Sequence, residues 1–456
     1  MLEKLTDDFL ADVCMCCSVT DLGALLAANN QFYVLILPYF IDACKRYCFI
    51  DFLTPTIAAY RMNAQVPRTW PKLYSMFTCT RNLKWVACEP EMSTSLRKLK
   101  VDPTEYTLDG KYLMRCGGHY LFGLWQVAFD NIVIESDSLT LEMNGWEKIR
   151  PHGFGPCPRR NHAIIALPNI YVENAVPIGY DTFQMHYWRR LLIFGGQAEG
   201  YPFQSFNDLY LCCMTSEKKT GKTKAIWIEP ETSGLPPPPR SGHVATLVNA
   251  TTVLYSGGSS GTTAIPTLEI FLLHQLDDYN GEYGLGAFRW SKLKCSEYPP
   301  MGRTMHAVYQ PNRIQPKFYI FGGKQIRESN GLFDCHILEF QDKNLTEYTW
   351  SKPDINGDKP TDRRGHSTTA IGNRTLLVFG GQDSATHQLD NTIYQFDAKN
   401  LCWKIPYVIG TPPCARRGHK MQYFGTTMIV QSGFILNGTT ANEKLPEHDA
   451  YNLTFE

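Results

Sequence analysis

Diglycine pairs punctuate the chain. Gly117-Gly118, Gly195-Gly196, Gly257-Gly258, Gly322-Gly323 and Gly380-Gly381 each end an apolar run, and Ser432-Gly433 is a degraded sixth copy. The fullest copies read Ile193-Phe194-Gly195-Gly196, Ile320-Phe321-Gly322-Gly323 and Val378-Phe379-Gly380-Gly381. A sequence that repeats at this interval builds one supersecondary unit per repeat and buries its apolar faces by stacking the units.

Other elements recur in order around the glycines. Upstream of most pairs sits Arg-x-x-His, in the copies Arg159/His162, Arg240/His243, Arg303/His306, Arg363/His366 and Arg416/His419. Downstream comes a run with an aromatic, as in Asn207-Asp208-Leu209-Tyr210 and Asn391-Thr392-Ile393-Tyr394, and then a Trp: Trp146, Trp227, Trp290, Trp350 or Trp403. Each unit therefore predicts four short strands. The first follows Arg-x-x-His and alternates, the second runs into Gly-Gly, the third carries the Tyr or Phe, and the fourth carries the Trp. Glycine at a strand end permits positive φ and close backbone approach. The aromatics can fill the wedge between neighbouring sheets.

This pattern, over roughly 82–456, resembles the kelch repeat family, whose units are the blades of a β-propeller. The fold class expected is mainly β, a six-bladed kelch-type propeller. The units exceed the usual kelch length of about 50 residues, and the excess falls between Pro168 and Tyr187 and between Gln275 and Gly286. The last unit stops at a third strand, Asp449 to Phe455, with no Trp after it, and an unassigned Trp strand, Leu83-Lys84-Trp85-Val86-Ala87, lies near the other end. That strand is expected to complete the last blade and so remove the free sheet edges. A seventh blade would need a degenerate unit within 49–81, where no diglycine lies.

Residues 1–48 have a different texture. Leu5, Phe9, Leu10 and Val13 fall on one helical face, Thr20 can cap a second helix carrying Leu22, Leu25 and Leu26, and Pro38 can open a third. So short an apolar stripe cannot be buried by the module alone. The order Leu5-Thr6-Asp7-Asp8-Phe9-Leu10, Val19-Thr20-Asp21-Leu22 and Ala27-Ala28-Asn29-Asn30-Gln31-Phe32 resembles an F-box, a small all-α module. Thr6 stands where that family has Pro, Ala28-Asn29 where it has Val-Cys, and basic residues are missing before Phe32. A helical cap packed on the propeller is the plainer alternative. Residues 49–81, with Pro55, Pro67, Pro71 and Trp70, read as a partly ordered connector.

Composition narrows the function. Lysine plus arginine equals aspartate plus glutamate, 44 each, without long basic runs. That argues against nucleic acid or an anionic membrane as the main partner. No apolar stretch approaches the ~20 residues that span a bilayer, and Glu3, Asp7 and Asp8 are unlike a signal peptide. The fifteen cysteines are then expected as reduced thiols in a cytoplasmic or nuclear, non-secreted protein. Cys14, Cys16 and Cys17 lack a second ligand pair and read as core.

No catalytic motif, metal set or cofactor loop is found. The five Arg-x-x-His copies are the one recurring titratable set, and an active site needs one constellation rather than five. Packing at the first strand is the main reading. A lesser one lets Arg159, Arg240, Arg303, Arg363 or Arg416 reach a propeller face and bind an acidic peptide. The loops between strands two and three, and between one blade and the next, share a face and are where binding is expected, with Tyr201 and Phe203 as candidate contacts.

Together, the F-box and kelch resemblances imply a non-catalytic substrate receptor of an SCF (Skp-cullin-F-box) ubiquitin ligase. Leu5, Phe9, Leu10, Val13, Leu22, Leu25 and Leu26 would face a Skp-type adaptor, which links to the cullin and its RING partner. The propeller would hold a protein substrate for ubiquitination and proteasomal degradation. Two alternatives remain at this level: a kelch interaction scaffold without a ligase role, and a metal-dependent kelch enzyme.

Overall fold

The computed structural model describes residues 83–88, 104–108, 112–117, 123–135, 138–143, 147–172, 186–198, 204–216, 223–260, 267–276, 287–294, 299–311, 316–325, 331–371, 375–424, 427–431, 433–437, 441–444 and 450–455. The expected helical module (1–48) and connector (49–81) lie outside them. No helix occurs among the described residues, and none there is long and apolar enough to cross a membrane.

The architecture is mainly β and propeller-like. Among the described residues six sheets, each with an antiparallel core of four strands, follow one another along the chain, most with a further short strand, and Phe434–Asn437 pairs with Ala441–Lys444 as a separate hairpin. The second sheet is typical: Ala163–Val172, His186–Gln197, Ser205–Ser216 and Thr223–Ile228 pair in sequence order. One apolar-rich strand per repeat element, joined by short turns, gives such a meander. The diglycines end the second strands, as in Lys317–Lys324, which holds Gly322-Gly323.

The sixth sheet is made from both ends of the described chain. Lys420–Phe424, Thr427–Gln431 and Ala450–Phe455 supply three strands. Leu83–Cys88 supplies the fourth, antiparallel to Ala450–Phe455 with Trp85 opposite Leu453. The innermost strands touch in ring order: Thr104–Leu108, Ala163–Val172, Val244–Leu247, Ala307–Tyr309, Ser367–Ile371, Lys420–Phe424, and back to the first.

The segment leaving one sheet also crosses to the next. Thr232–Ser233 runs parallel beside Phe288 and Arg289, Asn356–Gly357 beside Cys402 and Trp403, and Val408–Ile409 beside Leu83 and Lys84. One expected loop is shorter than the sequence implied. Between Pro168 and Tyr187 the strands continue to Val172 and resume at His186, because Ile170, Tyr171 and Val172 pair with Trp188, Tyr187 and His186. The register shifts between Leu167 and Ile170, next to Pro168, which cannot donate to a ladder.

The core lies between sheets, where aromatics from two units meet. Phe194 of the second sheet packs on Trp290 of the third at 4.9 Å, and Tyr255 packs on the same indole at 5.1 Å. The pattern repeats further round, with Phe321 against Phe396 at 4.9 Å and Trp403 at 5.6 Å. Such rings bury about 150–250 Å² each, and at about 25 cal/mol per Å² each is worth several kcal/mol before chain entropy is charged.

Candidate functional site

Arg-x-x-His connects each sheet to its neighbour. In four units the arginine Nη1 donates to the carbonyl of the first glycine of its own pair: Arg159 to Gly195 at 3.0 Å, Arg240 to Gly257 at 2.8 Å, Arg303 to Gly322 at 3.0 Å and Arg363 to Gly380 at 3.0 Å. Nε donates to the carbonyl two residues upstream, in Arg416 to Cys414 at 3.0 Å. Each guanidinium of those four also meets a carboxylate at the start of the third strand: Asp208 at 2.5 Å, Glu269 at 2.9 Å, Asp334 at 2.6 Å and Asp390 at 2.6 Å. The planar fork suits this role, since it reaches carbonyl and carboxylate together.

In four motifs the histidine reaches back to the preceding sheet. The His243 ring lies edge-on to Phe194 at 5.3 Å, His366 to Phe333 at 5.5 Å and His419 to Phe379 at 5.2 Å. His306 Nε2 hydrogen-bonds Ser256 Oγ at 2.7 Å. Burial, with the positive charge of the motif's arginine second, holds His162, His243 and His306 down to about 3 and His366 to about 4, and drives His419 well below its ordinary value.

The glycines are fitted between these parts. Gly195 has φ +63°, and a Cβ there would lie 2.9 Å from both the Arg240 carbonyl oxygen and His243 Cε1. The amide of Gly196 donates to that same carbonyl at 2.9 Å. A side chain on the motif's glycine would push two sheets apart.

Arg159, Arg240, Arg303, Arg363 and Arg416, the lesser candidates for an acidic peptide, are buried to 2% exposure or less. The recurring carboxylates were not read from the sequence, although each falls ten to thirteen residues after the first glycine of its pair. Tyr201, Phe203, Leu5, Phe9, Leu10, Val13, Leu22, Leu25 and Leu26 lie outside the described residues.

What faces outward is the loops. Loops of both expected kinds interleave on one face: Gln325 donates to Met301 Sδ, the Phe333 amide to Asp362 Oδ1, the Ser384 amide to the Asp362 carbonyl and Asn391 to the Pro413 carbonyl. Large apolar side chains stand out on the segments between sheets, Phe154 at 94% and Leu235 at 77% exposure. Loops on a rigid frame are where recognition is built. Among the described residues no group of three His, Cys, Asp or Glu is placed to hold a metal.

The comparisons agree with this frame. The KLHDC2/KLHL20/DRC7 Kelch-repeats domain matches residues 120–344 and 312–455. The chain belongs to the kelch-repeat family, and its propeller is a protein-interaction domain. Rab9 effector protein with kelch motifs from Rattus norvegicus is 30% identical over 217 residues, 46% of this chain and 53% of that protein. Host cell factor 1 from Homo sapiens is 27% identical over 263 residues, 54% of this chain and 12% of that protein. The chain thus spans about half the length of the Rab9 effectors, or less. A chain in the cryo-EM structure of RAG with one melted and one unmelted RSS aligns with a TM-score of 0.50 and 16% identity, covering 82% of this chain and 100% of that one, a likeness of fold alone.

Proposed function

We propose that this kelch protein is the substrate-recognition subunit of an SCF-type ubiquitin ligase. It would carry no chemistry of its own and would work in a cytoplasmic or nuclear setting. One observation carries the binding half of this reading. The recurring charged residues are consumed inside the frame, while the outward face is made of interleaved loops with exposed apolar residues such as Phe154 and Leu235. The free thiols of Cys157, Cys212, Cys213, Cys335, Cys402 and Cys414 fit a reducing compartment. Six sheets with innermost strands in ring contact support a count of six blades.

The ligase half rests on the F-box resemblance of residues 5–45. The helices would dock on a Skp-type adaptor through Leu5, Phe9, Leu10, Val13, Leu22, Leu25 and Leu26. The cullin and RING partner would follow through the adaptor. The receptor then acts by effective concentration, holding a target lysine near a charged conjugating enzyme.

Co-expression with a Skp-type adaptor tests it. Stoichiometric co-purification is expected, lost in the Leu5→Asp, Phe9→Asp double variant. A folded wild type that does not bind the adaptor removes the ligase role. The second reading, an interaction scaffold without ubiquitin chemistry, would then stand, and the departures at Thr6 and Ala28-Asn29 favour it. A curated relative named as a Rab9 effector is consistent with that alternative.

A further inference from the structure

Four of the segments that carry the chain from one sheet to the next share one design. Each ends on a glycine at positive φ: Gly153 at +82°, Gly234 at +76°, Gly357 at +88° and Gly410 at +85°. At the first three a Cβ would strike the carbonyl oxygen of a Trp on the next sheet, Trp227, Trp290 and Trp403 in turn. Counted back from the glycine, the first, third and fifth residues are exposed in all four segments. The fourth is covered, as Ile149, Pro230, Pro353 or Pro406.

In three segments the exposed positions are charged or polar: Lys148, Arg150 and His152; Glu229, Glu231 and Ser233; Lys352, Asp354 and Asn356. Charged residues at a sheet edge discourage pairing with other chains. The segment onto the sixth sheet departs at every one of these positions. It carries Ile405, Tyr407 and Ile409, exposed by 52%, 74% and 39%. Alternate residues of an extended segment stand about 7 Å apart on one side, so the three form a stripe by their spacing alone. Tyr407 at its centre is the kind of side chain that anchors an interface.

The position of the stripe points to what covers it. Val408–Ile409 lies at the edge of the sixth sheet and pairs parallel with Leu83–Cys88, Val408 opposite Leu83 and Ile409 opposite Lys84. In a parallel pair both chains arrive from the same end. The residues before Leu83 therefore approach the sheet past Ile405 and Tyr407. Eighty-two residues precede Leu83, and an apolar group stands close to the end of them: Trp70, Leu73, Tyr74 and Phe77. Their spacing, i, i+3, i+4 and i+7, is that of one helical face. Only Thr78 to Asn82 separate Phe77 from Leu83, a reach of up to about 20 Å. Ile405 lies about 10 Å back from Val408 along its segment, well inside that reach.

We propose that Ile405, Tyr407 and Ile409 are the docking stripe for residues 70–77 of the same chain, which seat Trp70, Leu73, Tyr74 and Phe77 on the rim of the sixth sheet. The short tether makes the contact intramolecular, at an effective concentration in the millimolar range, so an interface too small to hold a separate molecule suffices. A second copy or another protein would have to displace a segment already held beside the stripe. The inference goes beyond the ligase reading and does not depend on it.

The test places the photo-crosslinking residue benzoylphenylalanine at position 407 of the full chain and maps its products by mass spectrometry. Crosslinks to residues 70–77 within one chain are expected. Crosslinks that join two copies, that capture another protein or that fall only on other parts of the chain overturn the proposal. A second measurement uses Ile405→Lys with Tyr407→Asp, the residue types that the frame already accepts at Lys352 and Asp354. Hydrogen exchange across 70–77 should quicken by about tenfold or more, a factor that loss of one buried apolar side chain supplies. Thr427–Gln431 and Ala450–Phe455 of the same sheet should keep the wild-type rate. Unchanged exchange across 70–77 overturns the proposal. Should the whole sheet quicken, the crosslink decides. Neither readout involves the adaptor, so a failed adaptor assay and a failed docking assay indict different claims.

Discussion

At the scale of the residue, the molecule spends its recurring charges on holding itself together. Arg303 is fully buried, and its guanidinium is divided among Asp334, the Gly322 carbonyl and the Met301 carbonyl. Burial pushes the Asp334 carboxyl up, but hydrogen bonds from His336 and Arg303 outweigh it and leave it below the usual range. Replacing Arg303 with Met removes one partner and strands the others, so a loss of about 3–5 kcal/mol in urea unfolding is expected. A loss below 1 kcal/mol would mean that water already shares the pair. The histidines give a second expectation. The folded values of His162, His243, His306 and His366, about 3 to 4, lie under an unfolded value of 6.5. Between those limits the unfolded chain binds more protons than the folded one. Stability is therefore complete above about pH 6.5 and falls as pH drops towards 4, by up to about 1.4 kcal/mol per pH unit for each ring. Glu269 and Asp390, also held low, add their losses below about pH 4.5, in the ordinary carboxylate range. Urea midpoints at pH 7 and pH 5 check the histidine share, since the carboxylates are nearly silent between them. Equal midpoints would mean that the rings reach solvent.

At the scale of the element, the repeats are four-stranded sheets, three of which take a short crossing strand among the described residues, and the two parts were unequally legible. The four strands could be read because Gly-Gly, an aromatic and Trp recur together, and each marks a position that packing leaves little choice about: a sheet junction for Gly195, an inter-sheet wedge for Trp290. The crossing strands are two residues long, too short for any alternation to register. The carboxylates Asp208, Glu269, Asp334 and Asp390 escaped because loop length shifts them against the glycines and Asp alternates with Glu. The arginines could be found by pattern, but their depth could not, since a surface arginine leaves the same trace as one buried against a carboxylate. The crossing strand also makes a prediction. Gly234 follows Thr232–Ser233 at φ +76°, and a Cβ there would come within 2.2 Å of the Trp290 carbonyl oxygen. Gly234→Ala should cost about 1–3 kcal/mol. It should also open the bond from the Phe288 amide to the Glu231 carbonyl. Hydrogen exchange at Phe288 is the measurement. It should quicken there and leave the Leu254 and Leu272 amides of the same sheet slow.

At the scale of the whole molecule, the ring decides what the parts can do. A row of sheets has two open edges, and edges recruit other chains. Here the sixth sheet takes Leu83–Cys88 as its outer strand. That strand is paired on one side with Ala450–Phe455 along its length and on the other with Val408–Ile409 only at Leu83 and Lys84. Of the adjacent amides of Trp85 and Val86, one must point towards Ala450–Phe455, because strand amides alternate in direction. Trp85→Pro with Val86→Pro removes that donor whichever it is, and a proline cannot stand where the ladder needs the amide. Limited proteolysis of the full chain should then release a fragment ending before residue 100, and exchange should quicken across Ala450–Phe455 and Thr427–Gln431 while Ala163–Val172 and His186–Gln197 stay protected. Uniform deprotection would mean a ring that opens as one unit. Unchanged protection would mean that the other three strands hold the last sheet without the fourth, and closure would then serve to hide an edge rather than to hold the molecule together.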